Sequence, residues 1–268
     1  MILSSQILFL AYKMFTIKNK PEQRQLRKVD EHGEYAPFPG VTVVSACYPE
    51  QKEFCEAIYQ VLKSSPLIMH YFSPLPAHSY HMTTMSLETE QQVGASWNQF
   101  ITKNLPHYKK INQTLQKNPI YPSIEKMQVN VDWCISLSLF LPKKHVAQIE
   151  EMAEALNIEE TIPPVFHFTL AYPRPNRKIS KEVSERIIKE LNGVIEKTAV
   201  PFEIAEAKLC YFNDMTAFLP WDAENNPFLQ SKKHLTDFMQ TDETRSDSLQ
   251  SEYLHETTLS TKPSFLLK

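Results

Sequence analysis

Apolar and polar residues alternate along three parts of the chain. Over residues 165–172, Phe166, Phe168, Leu170 and Tyr172 fall on one face of a strand and Val165, His167, Thr169 and Ala171 on the other. Over residues 129–141, Val129, Val131, Trp133, Ile135, Leu137, Leu139 and Leu141 alternate with polar or smaller neighbours, which predicts one long strand with a single buried face. A shorter strand over 79–87 carries His81-Met82-Thr83, and the β-branched run Val41-Thr42-Val43-Val44 predicts another, entered through Pro39-Gly40 and closed by Pro49.

Helical spacing separates these strands. Phe54, Ile58, Val61 and Leu62 form the apolar stripe of a helix over 50–64, with Glu50 and Glu53 in its first turn, where the dipole favours anions. Val93, Trp97, Phe100 and Ile101 predict a helix over 90–103, and Val146, Ile149, Met152, Ala153 and Leu156 one over 143–157. Ser180 is a fitting cap for a helix whose apolar face is Val183, Ile187, Leu191 and Val194. Residues 104–128, with three prolines, read as a connection between halves, and 200–220 as two strands turning at Asn213-Asp214.

The order strand, helix, His-x-Thr strand therefore occurs twice, over about 41–87 and 129–172. Two such units packed as pseudo-symmetric lobes would bring His81 and His167 together. The expected class is α+β, with antiparallel sheets lining a central groove and helices outside. Residues 1–32 read as an N-terminal extension, 16–34 being polar and solvated, and 33–222 as the domain, with lobes about 41–100 and 129–221. Residues 223–268, rich in Ser, Thr, Asp, Glu and Lys, read as a polar, mobile tail.

Composition narrows the function. A chain of 268 residues with 42% hydrophobic content can bury an ordinary core. A net charge of -3 and a pI near 6.3 argue against gripping long duplex nucleic acid through a basic surface, while leaving room for a local basic pocket. The apolar run at 7–12 is too short to span a bilayer and lacks a basic lead and a cleavage site, so no membrane association is expected. Cys47, Cys55, Cys134 and Cys210 have no C-x-x-C or zinc spacing and read as reduced core thiols in a cytoplasmic setting. No metal or cofactor motif is present, so no cofactor is expected.

The two His-x-Thr strands suggest a chemistry. Cleaving a phosphodiester without a metal needs a base for the nucleophile and an acid for the leaving oxygen, and two imidazoles titrating near neutrality can divide that work. A threonine two residues along a strand shares its histidine's face, and its hydroxyl can donate to a non-bridging phosphate oxygen. Two further matches, at His234 and His255, lie in the polar tail without strand alternation. Arg174 could reach a phosphate, Ser136 and Ser138 could line the groove, and Tyr80 and Tyr172 could stack on a base, although alternation turns both tyrosines away from the histidines. Asp214 is suited to shaping its own turn.

The segments HSYHMTT and FHFTLAY resemble the paired motifs of the two-histidine (2H) phosphoesterase superfamily, which includes RNA 2',3'-cyclic phosphodiesterases. The strings PFPGVTVV and CYFNDMTAF are similar to a mostly uncharacterised bacterial and fungal branch of it, so the resemblance spans roughly residues 33–221. It implies a bilobal fold around a groove and metal-independent cleavage of a cyclic or 2'-linked phosphate in a nucleotide or short RNA. It makes His81 and His167 the acid/base pair and Thr83 and Thr169 the phosphate anchors. Thr84 departs from the pattern, standing where the superfamily has an apolar residue and where the second motif has Leu170. The same groove could also serve a module that binds a nucleotide or RNA end without turnover. The tail is similar to the C-terminal translocation signals of type IV secreted effectors, which would place the protein in a host cell.

Overall fold

The computed structural model describes residues 26–229, so the apolar run at 7–12, His234, His255 and nearly all of the tail lie outside the described residues. The chain divides into a first unit ending at Asn225 and a second beginning at Asn226, whose described part is a short 3-10 turn, Pro227–Leu229.

The first unit is built on an antiparallel sheet. Its strands are β1 (Gly40–Ala46), β2 (Phe72–Pro74), β3 (His81–Met85), β5 (Lys126–Val131), β6 (Ile135–Phe140), β7 (His167–Pro173), β9 (Lys208–Phe212) and β10 (Leu219–Pro220). A separate short pair joins β4 (Ser123–Ile124) to β8 (Phe202–Glu203). The order is β10-β9-β1-β3-β7-β6-β5, with β2 also pairing β7. Two four-stranded halves, one ending at β3 and the other at β7, thus become one ladder where those two strands meet, through the register pair Met82↔Phe168. Each half repeats the expected order of strand, helix and His-x-Thr strand. The helices are α1 (Lys52–Ser64) between β1 and β3 and α5 (Lys143–Leu156) between β6 and β7.

The halves also match in detail. On β3 the register jumps from Val44↔Thr83 to Val43↔Met85, leaving Thr84 as an extra residue. On β7 it jumps from Ser136↔Thr169 to Ile135↔Ala171, leaving Leu170 as the extra one. A bulge therefore follows the threonine of each motif, at the fourth motif position. Thr84 is fully buried there, and its hydroxyl donates to the Val43 carbonyl (3.1 Å), so its polar side chain is satisfied where an apolar residue was expected.

Three expectations are corrected. Residues 104–117 are not a connection: α4 (Trp97–Lys117) runs through Pro106, after the short α3 (Glu90–Val93) and a turn at Gly94 with φ 80°. A mid-helix proline costs about 3 kcal/mol. Trp97, Ile101, Tyr108, Ile111 and Leu115 are all buried along one face, and at about 1.5–3 kcal/mol for each large side chain that burial outweighs the proline. The long strand over 129–141 is a hairpin, β5 and β6, in which the Asp132 N–H donates to the Cys134 carbonyl (3.1 Å). Its odd-length loop leaves the alternation in phase on both sides, so the pattern alone could not reveal the reversal. Of the stretch 16–34 expected as a solvated lead-in, the described part, 26–34, is not one: Val29, 4% exposed, bridges Tyr35, and the Lys28 carbonyl accepts from the Ala36 N–H (3.1 Å).

This N-terminal hairpin is fastened to the second half of the sheet. The Tyr35 hydroxyl donates to the Ser73 carbonyl and the Ser73 hydroxyl to the Gly33 carbonyl, both at 2.6 Å. Gly33 has φ +88°, and a Cβ there would lie 2.6 Å from the Arg174 guanidinium carbon. Gly33→Ala combines left-handed strain with displacement of Arg174 and is expected to lower stability by about 1–2 kcal/mol in denaturant titration.

The remaining elements follow the pattern. α6 (Lys181–Ile195) is capped by Ser180, whose hydroxyl accepts from the Val183 N–H (3.4 Å). Asp214 shapes its turn, its Oδ1 accepting from the Thr216 N–H (2.7 Å) and hydroxyl (2.6 Å). All four cysteines are buried and free. No helix among the described residues is long and apolar enough to cross a membrane.

Candidate active site

The pairing Met82↔Phe168 sets the geometry of the site. Both side chains are fully buried on the core face, so the residues on either side of each project from the opposite face. Extending the antiparallel register by one residue in each direction sets His81 across from Thr169 and Thr83 across from His167. The four side chains form a rectangle, about 4.5–5.5 Å across the strands and about 7 Å along them. The histidines occupy one diagonal and the threonines the other. All four line a cleft of about 470 Å³.

Each imidazole is oriented in the same way. Nδ1 of His81 lies 2.7 Å from the Ser79 carbonyl oxygen and Nδ1 of His167 lies 3.0 Å from that of Val165, two residues back in each case. A carbonyl oxygen only accepts, so Nδ1 carries a proton in both rings and Nε2 is left to exchange one with a substrate. Neither threonine hydroxyl has a hydrogen-bond partner among the described residues, which leaves both free to donate into the cleft.

The rings differ in surroundings. His81 packs against Phe218, centroid to centroid 3.8 Å at 46°. Burial lowers its pKa from the ordinary histidine value to about 4, against the raising effect of the Ser79 carbonyl, with His167 and Lys28 adding repulsion. His81 is therefore neutral at pH 7, with Nε2 as a lone-pair acceptor.

The other candidates divide. Tyr172 lines the cleft despite the alternation, because the bulge at Leu170 reverses the side-chain phase beyond it. Its hydroxyl accepts from Lys28 Nζ (3.0 Å) and faces the Met215 sulfur (3.5 Å). Tyr80 is fully buried in the core, where desolvation raises its pKa, and it cannot touch a substrate. Ser138 and Ser136 sit beside His167 and Thr169 on β6 but do not line the cleft, and the Ser138 hydroxyl accepts from Asn130 Nδ2 (2.6 Å). Arg174 lies outside the cleft too: its Nε donates to the Phe72 carbonyl (3.2 Å), and it lines a neighbouring cavity.

Three residues with no role in the sequence reading belong to this region. Lys28 reaches the cleft from the N-terminal hairpin, its Nζ 4.5 Å from the centroid of Tyr172, 5.2 Å from that of Phe38 and 5.9 Å from that of Trp133. Trp133, expected in the core, stands at the β5–β6 hairpin tip, 58% exposed. Phe218 buttresses His81. Nothing in the local sequence signals Lys28 or Phe218, whereas the polar pair Asn130 and Asp132 ahead of Trp133 was a faint turn signal.

Residues 28–133 match the family model 2H-phosphodiest, described as a domain of unknown function (DUF1868). No curated protein sequence matches significantly. Among solved structures, the fold is similar to a conserved protein of unknown function, ATU0111, from Agrobacterium tumefaciens, with 18% identity, TM-score 0.56, and coverage of 77% of this chain and 94% of that one. Usb1 of Kluyveromyces marxianus, also solved with uridine monophosphate, aligns over 69% of this chain and 98% of its own at 11–12% identity, with TM-scores of 0.37 and 0.36.

Proposed function

We propose that the chain, of which residues 28–133 match the 2H-phosphodiest family model, is a metal-independent phosphodiesterase of the 2H phosphoesterase superfamily, hydrolysing a cyclic or 2'-linked phosphate of a nucleotide or short RNA. The observation that carries this reading is the rectangle of His81, Thr83, His167 and Thr169 at the β3–β7 junction. In-line displacement at phosphorus needs the nucleophile and the leaving oxygen on opposite sides, and two histidines on one diagonal suit that requirement. Neutral His81 takes a proton from water through Nε2 as the water oxygen bonds to phosphorus. The bond to the leaving ribose oxygen breaks, and His167 delivers a proton to that oxygen through Nε2. Thr83 and Thr169, on the other diagonal, donate to the non-bridging oxygens as negative charge builds on them.

The test is incubation of purified protein with 2',3'-cyclic nucleotides and with short RNAs ending in a 2',3'-cyclic phosphate, with and without chelator, reading products by mass spectrometry. A monoester formed equally fast in chelator is the expected result; no product from any of them overturns the reading. A pH series follows from the His81 environment. Its lowered pKa means that the basic form persists down to about pH 4. An acidic limb of kcat/KM, from proton uptake by His81, is therefore expected only near pH 4. An acidic limb centred near 6.5 would remove His81 from the role of base.

A further inference from the structure

Beside the cleft lies a second cavity of about 600 Å³, and the two share Lys28, Phe38, Trp133 and Tyr172 as a common wall. Arg27, Arg174 and Arg177 complete its charge, and no carboxylate lines it among the described residues. Four cations in one hollow contrast with a chain whose net charge is -3. The ion pairs of the described residues, Lys109–Glu224 and Lys181–Glu185, involve none of them. Lys28 is held instead by a hydroxyl and three aromatic faces, and Arg174 by the Phe72 and His32 carbonyls, so neither is paired with a carboxylate among the described residues. Trp133 adds a broad apolar face at 58% exposure, with Tyr172 6.3 Å away, centroid to centroid. An exposed indole beside a cluster of guanidinium groups is what a single-stranded nucleic acid needs, one π-face for a base and donors for its phosphate.

We propose that this cavity is a subsite for the adjoining nucleotide of a strand whose terminal phosphate occupies the His-x-Thr cleft. The inference rests on the proposed phosphodiesterase reading and sharpens it: the substrate is an oligonucleotide end, not a free mononucleotide. The phosphodiester 5' to the reacting nucleotide meets Lys28, Arg27 and Arg177, while the neighbouring base stacks on Trp133. Arg174 supports the site by holding the N-terminal hairpin in place.

The test uses the full chain carrying His167→Ala, so that turnover does not consume the probe. Binding of a fluorescein-labelled RNA trimer with a 2',3'-cyclic end is followed by anisotropy, with uridine 2',3'-cyclic monophosphate as competitor. The trimer is expected to bind at least tenfold tighter than the mononucleotide. Adding Arg27→Ala and Arg177→Ala, both on exposed side chains, should erase that advantage and flatten the salt dependence of trimer binding. Trp133→Ala should weaken the trimer about tenfold. Equal affinity for trimer and mononucleotide, or an advantage that survives the double arginine substitution, overturns the proposal. An abasic trimer binding as tightly as the RNA overturns the stacking role. If the unmodified protein cleaves nothing yet the arginine-dependent preference persists, only the hydrolase reading falls. Cleavage of the mononucleotide without any trimer preference removes only the subsite.

Discussion

His167→Ala is expected to lower kcat on a cleavable phosphodiester by about 10²–10⁴-fold, the range for loss of a positioned acid or base. The same loss is expected for His81→Ala. The double variant should fall little further than either single one, because base and acid act on the two sides of one displacement and removing either disables it. Stability should scarcely move with His167→Ala: its ring is only partly buried, and its one hydrogen bond runs to the carbonyl two residues back in its own chain. A kcat drop with an unchanged thermal midpoint thus separates chemistry from folding. Wild-type turnover by His167→Ala would remove the acid/base pair from the mechanism. Thr83→Val and Thr169→Val keep shape while removing one donor each; their effect belongs in kcat more than in KM if the hydroxyls bind the charge that develops at the transition state.

The largest expected effect on stability lies one residue away. Phe168 is fully buried beside Met82 at the one register pair that joins the two halves of the sheet among the described residues. Phe168→Ala leaves a cavity at that seam and is expected to cost about 3–5 kcal/mol, a large share of the roughly 5–15 kcal/mol that holds a domain of this kind. Met82→Ala should cost about 2–5 kcal/mol, and the double variant less than the sum, since the two side chains face the same space. Urea titration of the three variants measures this. Activity should fall in Phe168→Ala even under conditions where it remains folded, because the seam sets the register of His81 against Thr169 and of Thr83 against His167. A folded Phe168→Ala protein with full activity would show that the rectangle does not depend on this contact.

Strand alternation and helical spacing place most elements because they report burial, and burial is local in its periodicity even when its partners are distant. α1, α5, α6, β1, β3 and β7 were legible for that reason. The failures share a cause: propensity and pattern lost to packing. Pro106 marks a break, yet five buried side chains carry α4 through it. The β5–β6 reversal was hidden because a loop of odd length preserves the phase that alternation measures. Residues 26–34 look solvated because their charges are what a sequence displays, while the bonds that fasten this hairpin, Tyr35 to Ser73 and Ser73 to Gly33, run to a residue some forty positions on.

From its sequence alone this protein already had its two histidines, their threonines and the repeated unit that carries them, since each motif needs only a strand to aim its side chains. Tertiary structure decided what those groups face. The β3–β7 seam makes a rectangle out of two separate motifs, the bulge at Leu170 brings Tyr172 round to the cleft, and the docked hairpin delivers Lys28 beside it. Register between strands 86 positions apart is set by core packing on the far face of the sheet, and no periodicity along one strand can encode it.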